Sequence, residues 1–226
     1  MTDAVSEASL GSYPTPQRVR LAGSYAVLEP LDPEKHGQQL FASSRASGAA
    51  ERFRYLGQPL PREEEFFAWL AGAAATPDPL FFAVIDKASG VCHGRQALMR
   101  ITADHGVIEL GNVLWNPAIA RSRVSTEAFF LAASYVFDEL GYRRFEWKCD
   151  AENAPSRRAA ERFGFTFEGV FRQHMIVKGK NRDTAWFAML DYEWPRLKVA
   201  FEEWLKADNF TVDGVQHRSL DARGSS

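Results

Sequence analysis

The chain has 226 residues, 46% of them hydrophobic and 25% charged, the balance of a soluble globular protein rather than a disordered, fibrous or membrane-spanning one. Lys plus Arg number 27 against 29 Asp plus Glu, so a net charge of -2 offers no whole-molecule basic field to nucleic acid or an anionic membrane, and any anion site must be local. Cys92 and Cys149 are too few for a disulfide framework or a structural zinc site and suit a reducing cytoplasm, and no apolar run approaches the ~18 residues of a membrane span.

Residues 1–17 (MTDAVSEASLGSYPTPQ) are polar and lack the apolar stretch of a secretory signal. They and residues 208–226 are expected as flexible segments on either side of one domain over 18–207, since no repeat or linker interrupts the body. In chain order, residues 19–31 read as a first strand, 33–46 as a helix, and 62–75 as a second helix with Phe66, Trp69 and Leu70 on one face. Three strands follow at 80–86, 91–101 and 107–115. They are joined by the turn-forming KASG and DHG, which predicts an antiparallel meander.

After Asn116-Pro117 the apolar period becomes helical, with Val124, Ala128, Leu131, Ala132, Tyr135, Val136 and Leu140 on one stripe and Gly141 as the stop. A half-buried strand follows at 143–149, where Phe145, Trp147 and Cys149 alternate with charged residues. The chain then gives a helix capped by Asn153 and closed by Gly164, strands at 165–177 and 184–192, and a helix at 195–205. The order β-α-α-β-β-β-α-β-α-β-β-α predicts an α/β (α+β mixed) fold: a meander feeding one βαβ crossover, in a mixed sheet flanked by helices.

GxSxG, GxxxxGK[ST], GxGxxG and HExxH are all missing from the sequence, which removes support for serine hydrolase, nucleotide hydrolase, dinucleotide oxidoreductase and zinc protease readings. The five histidines have no ligand spacing, so no metal is expected. One candidate anion site remains, at the helix start over 116–127, where Arg121 and Arg123 stand among Ser122, Ser125 and Thr126. Unpaired N–H groups and the dipole at such an end favour phosphate. The alternative is that the hydroxyls cap the helix and the arginines are solvated.

This segment, the stretch ELGYRRFEWKCDAENAPSRRAAERFGFTFEG at 139–169, and Arg182-Asp183-Thr184 together resemble the GNAT superfamily of acyl-CoA-dependent N-acetyltransferases, in its RimJ/RimL-like branch, over residues 18–195. The resemblance implies a V-shaped opening between the strands at 107–115 and 143–149, in which the pantetheine arm of acetyl-CoA lies like an extra strand. The glycine inside Glu109-Leu110-Gly111-Asn112-Val113-Leu114 fits a bulge or a close approach there. Backbone groups of Val113 and Leu114 would then bind the arm and hold the oxyanion. The family's pyrophosphate loop, Gln/Arg-x-x-Gly-x-Gly/Ala, maps onto Ala120, Arg121, Ser122, Arg123, Val124 and Ser125, departing from it at Ala120 and Arg123. Arg121, Ser122, Arg123, Val124, Ser125, Thr126, Asn153 and Ser156 complete the expected cofactor-binding set.

The implied chemistry is direct attack of a neutral primary amine, on a protein N-terminus or a small molecule, on the thioester in a ternary complex. It requires a base, an oxyanion donor and an acid for the leaving thiolate. Glu109 is the candidate base, and its alternative is a strand residue paired with a nearby cation. Ser156 is the candidate acid, with Asn153 orienting the pantetheine end, because the tyrosine that many members carry seven residues after the asparagine is Ala160 here. For Asn153 and Ser156 the alternative is helix capping. A few residues of 51–61, with His93, His105 and His174, are candidates to wall the acceptor pocket, and Cys149 reads as buried core. The expected partners are acetyl-CoA and an amine, without nucleic acid, membrane or metal, and a homodimer is compatible. The rival reading is an acyl-CoA-binding sensor or scaffold of the same fold that has lost catalysis.

Overall fold

The computed structural model describes residues 11–222. A short hairpin of β1 (Leu21–Ala22) and β2 (Ala26–Pro30) leads to helices α1 (Pro33–Arg45), α2 (Ala49–Arg54) and α3 (Glu63–Ala75). The meander β3 (Leu80–Asp86), β4 (Cys92–Thr102) and β5 (Val107–Trp115) follows, and α4 (Arg123–Ser134), extended by a wide π-turn at Tyr135–Glu139, crosses to β6 (Arg144–Asp150). Helix α5 (Ala154–Arg162), the hairpin of β7 (Thr166–Val177) and β8 (Lys180–Leu190), and α6 (Trp194–Trp204) complete the body. All eight strands form one sheet in the order β1-β2-β3-β4-β5-β6-β8-β7. Every neighbouring pair is antiparallel except β5 and β6, which are parallel across the α4 crossover. The predicted mixed sheet flanked by helices is the fold observed.

The central strands are covered on both faces, which is why β3 reads as an unbroken apolar run. Leu80, Phe82 and Val84 enter a core with Phe129 of α4, Phe163 and Phe201 of α6. Phe81, Ala83 and Ile85 point the other way, into a smaller core with Leu40 of α1 and Phe66 and Leu70 of α3. In the larger core Phe129 and Phe163 stack at 4.3 Å.

The first predicted strand is divided in two by a turn at Gly23–Tyr25, because the buried Glu127 carboxylate of α4 captures that turn: it accepts from the N–H groups of Ser24 at 2.8 Å and of Tyr25 and Ala26 at 2.6 Å. Helix α2 was not expected from sequence. Helix α4 begins at Arg123 rather than just after Pro117, since residues 116–122 form turns closed on the Asn116 carbonyl and Ser122 provides the cap. The described parts of both ends pack on the body, unlike the flexible segments anticipated. Tyr13 packs tilted against Tyr142 at 5.5 Å, Pro16 is buried, and Phe210, Leu220 and Ala222 join the larger core. Residues 1–10 and 223–226, which fall within the anticipated flexible ends, lie outside the described residues.

Candidate functional site

The parallel strands β5 and β6 stay together for only three paired positions, Val107 with Arg144, Ile108 with Phe145 and Glu109 with Glu146. Beyond Glu109 the edge of β5 that faces β6 has no strand partner, and the strands splay. The deviation is built into β5, where Asn112 has φ 51° and the register to β4 shifts near Ala97. Arg95 of β4 holds this kink. Its guanidinium, 2% exposed, donates to the Asn112 carbonyl at 2.9 Å and lies 4.4 Å from the Trp69 ring. With no carboxylate beside it, burial pushes its pKa down to about 9.

The splay opens into a cleft of about 190 Å³. At its vertex stands Glu109, 5% exposed, with the Lys148 ammonium 3.2 Å and the Arg100 guanidinium 3.5 Å from Oε2. Lys148 also pairs with Glu146 at 2.6 Å and lies over the Trp186 ring at 3.7 Å. Burial raises the Glu109 pKa above the usual carboxylate range, against the pull of Lys148 and Arg100. Arg100 is positioned by a bulge in β4, where it has φ 49° and where the Asp78 carboxylate accepts from the N–H groups of Arg100 at 2.9 Å and Ile101 at 3.0 Å. A side chain at Gly111 would overlap the Met99 sulfur and come within 3.2 Å of Glu109 Oε1, so the close approach anticipated at this glycine comes from the protein's own side chains.

On the far wall, Asn153 and Ser156 line the cleft from the start of α5. The Asn153 side-chain oxygen accepts from the Ser156 N–H at 3.1 Å, so the capping role is real, while its amide N–H donors have no protein acceptor among the described residues. The Trp147 indole donates to Ser156 Oγ at 2.9 Å, and the serine hydroxyl in turn faces the Cys149 sulfur, which it stabilises as a hydrogen-bond donor. Ala160, in place of the family's tyrosine, is fully buried in the core. Cys149 also borders the cleft, with burial raising its pKa, as expected of an inert thiol rather than a nucleophile.

Glu109, Val113, Asn153 and Ser156 therefore meet in one cleft, and Leu114 is buried beside it without lining it. The residues 121–126 stand apart, at the α4 N-terminus. There the polar groups are largely engaged in a capping box: Ser122 Oγ accepts from the Val124 N–H at 3.1 Å, Ser125 Oγ accepts from the Ser122 N–H at 3.2 Å, and Thr126 Oγ1 accepts from Arg162 at 3.1 Å. The Arg123 guanidinium lies 4.6 Å from the Tyr25 ring and 5.5 Å from that of Phe210. Arg121 is exposed, with φ 59°.

Of the other residues proposed to wall a pocket, Arg52, Tyr55, Leu56, Gly57 and His174 line the cleft, and His93 and His105 do not. Sequence reasoning missed Arg100, Lys148 and Arg182 in the lining, and the indole bond from Trp147. Strand alternation had put Lys148 opposite Trp147, and the partners that fix each of them are distant in sequence. Among the described residues no group of three or more His, Cys, Asp or Glu could hold a metal ion, and no helix is long and apolar enough to cross a membrane.

Residues 26–166 match the acetyltransferase (GNAT) domain family. Over 87 residues the chain is 33% identical to the uncharacterized N-acetyltransferase YnaD of Bacillus subtilis, an alignment that takes in 38% of this chain and spans only half the length of that curated relative. A GCN5-related N-acetyltransferase from Brucella melitensis has a similar crystal structure, with 57% identity and a TM-score of 0.91, covering 92% of this chain and 95% of that one. The ribosomal L7/L12 acetyltransferase RimL, solved in complex with coenzyme A, aligns with a TM-score of 0.66 over 76% of this chain and 99% of that one. At 17% identity that is a likeness of fold alone.

Proposed function

Because the chain belongs to the GNAT acetyltransferase family, we propose that it transfers the acetyl group of acetyl-CoA to a primary amine by direct attack in a ternary complex. The observation that carries this reading is the separation of β5 from β6 past the Glu109–Glu146 pair, which leaves a strand edge open beside a buried carboxylate and a serine hydroxyl. The residues present fit the co-substrate. The open edge at Val113 and Leu114 offers backbone groups to the amides of a pantetheine arm, and the unengaged Asn153 amide offers donors to its far end. The diphosphate is assigned to the start of α4, where Arg121 is exposed and the helix dipole favours an anion; the capping box over Ser122–Thr126 pre-forms that turn.

In this mechanism Glu109 accepts the proton that the acceptor ammonium must lose, directly or through water, and the burial that raises its pKa makes it a stronger base than an exposed carboxylate. The N–H of Val113 or Leu114 stabilises the oxyanion as the amine adds to the thioester carbonyl. Ser156, already accepting from the Trp147 indole, donates its hydroxyl proton to the departing thiolate. The test is thiol release from acetyl-CoA across a panel of protein N-terminal peptides and small amines. Release that depends on the amine supports the reading. Tight CoA binding without turnover on any amine overturns it in favour of a CoA-binding sensor.

A further inference from the structure

The cleft is lined by four fixed cations, Arg52, Arg100, Lys148 and Arg182, and by one carboxylate, Glu109. Three of the cations are engaged within the protein. Arg52 donates to the carbonyls of Ser43 at 3.3 Å and Ala46 at 2.9 Å, and to that of Ser47, in and just after the last turn of α1. Arg100 and Lys148 pair with Glu109, and Lys148 with Glu146 as well. Arg182, in the first part of β8, is different. It has no carboxylate within 4 Å and no hydrogen-bond acceptor among the described residues; its Nε is buried without a partner, as is that of Arg52, but Arg182 has no bond from its other nitrogens to set against this. The nearby carboxylate of Asp183 is occupied, accepting from the Gln173 N–H at 2.8 Å and from Asn181 at 2.9 Å.

A guanidinium with a buried, unmatched donor in a cleft loses hydration without recovering hydrogen bonds, and the group that restores them best is a planar anion taken in a bidentate manner. His174 reports the same field from the opposite strand: burial and the cations Arg100, Arg182 and Lys148 lower its pKa. Such a field disfavours a bare ammonium or a polyamine. It favours an acceptor whose own negative charge offsets the cations while its amine, losing its proton more readily among them, faces Glu109.

We infer that the acceptor is a primary amine bearing a carboxylate close to the amine, of the amino-acid or acidic-peptide class, and that Arg182 is the specificity-determining residue that binds this carboxylate. The inference rests on the acetyl-transfer reading and deepens it. The experiment compares kcat/KM for amino acids and acidic dipeptides with that for their carboxamides, and with polyamines, on the protein and on Arg182→Gln and Arg182→Lys, with the acetyl-CoA Kd measured for each variant to separate loss of fold. A charge-assisted pair of this kind gives a preference of about 10- to 100-fold for carboxylate over carboxamide. Arg182→Gln should collapse that ratio to within about threefold, and Arg182→Lys should retain part of it. A preference for carboxamides or polyamines, or a ratio unchanged in Arg182→Gln, overturns the inference while leaving acetyl transfer intact. Absence of thiol release from every amine is instead the failure of the transfer reading. In that event the anion site is read by calorimetry, titrating N-acetylated amino acids into the CoA-loaded protein: binding that Arg182→Gln abolishes supports it, and equal or absent binding in both proteins overturns it.

Discussion

The Glu127 carboxylate, 4% exposed, is held by three backbone N–H groups of the β1–β2 turn and by no cation among the described residues. Its Oε1 accepts one of these bonds and its Oε2 the other two. Glu127→Gln keeps one acceptor oxygen and turns an NH2 toward at least one N–H, so it forfeits one or two charge-assisted bonds worth about 1.5–3 kcal/mol each and adds a donor-donor conflict. The expected loss is about 2–4 kcal/mol, or a fall in Tm of roughly 4–15 °C for a chain of this size. Gly23 is the matching half of the clamp, since a Cβ there would overlap the carboxyl group and stand 2.7 Å from Oε1. Gly23→Ala should therefore cost a similar amount by displacing the same carboxylate. The check is a double-mutant cycle in urea: in a Glu127→Ala background, Gly23→Ala should cost less than about 1 kcal/mol, a coupling of about 1–3 kcal/mol. Additive losses, or a loss below about 0.5 kcal/mol for either single change, would refute the clamp.

The remaining predictions concern the cleft. Glu109 acts as a base in its ionised form, so kcat/KM should fall as pH drops through its raised pKa, and Glu109→Gln should remove that acidic limb and cost about 10²–10⁴-fold. Lys148→Met takes away a cation that holds this pKa down, so the acidic limb of the pH–rate profile should move to higher pH; a limb that stays in place or moves lower rejects Glu109 as its origin. Ser156→Ala should lower kcat by more than it raises the Kd for CoA, measured by stopped-flow turnover and calorimetry. Arg95→Met replaces a buried, unpaired cation with an apolar chain of similar length, so stability in urea should change by less than about 1.5 kcal/mol. The same change frees the Asn112 carbonyl at the β5 kink, and the KM for acetyl-CoA should rise.

Much of this architecture is legible because its signals are local. The 2.0 period of residues 143–149, the Asn153 cap and the Gly164 stop place β6 and α5 within one or two residues of their ends, and the apolar stripe from Val124 with the Gly141 stop marks α4 and its π-turn, although not the start at Arg123. The split of the first strand is not legible in that way, because its cause, Glu127, lies about a hundred residues downstream. Helix α2 is six residues long with a left-handed Gly48 at its N-cap, too short to show a period. The described ends pack for similarly distant reasons, Tyr13 against Tyr142 and Phe210 edge-on to Trp204 at 4.9 Å.

The candidate site divides along the same line, between what a motif names and what the fold brings to it. Asn153 and Ser156 are marked in the sequence by their spacing after a strand, and the structure adds that different atoms of each serve the fold and the cleft: Oδ1 caps α5 while the amide N–H groups are open, and Oγ accepts from Trp147 while its hydrogen already faces a sulfur, that of Cys149. The capping and catalytic readings of these two residues are therefore compatible, since they use different atoms. Glu109 is a harder case, because the same two cations that mark it as a paired strand residue also border the cleft. Pairing with Lys148 and Arg100 lowers its basicity and burial raises it, and burial is the larger effect. An approaching acceptor ammonium would compete with Arg100, whose contact at 3.5 Å is the looser of the two, for the same oxygen. A base held this way is oriented before the acceptor arrives, and in the proposed complex the carboxylate that accompanies the amine keeps the cleft from accumulating one positive charge too many.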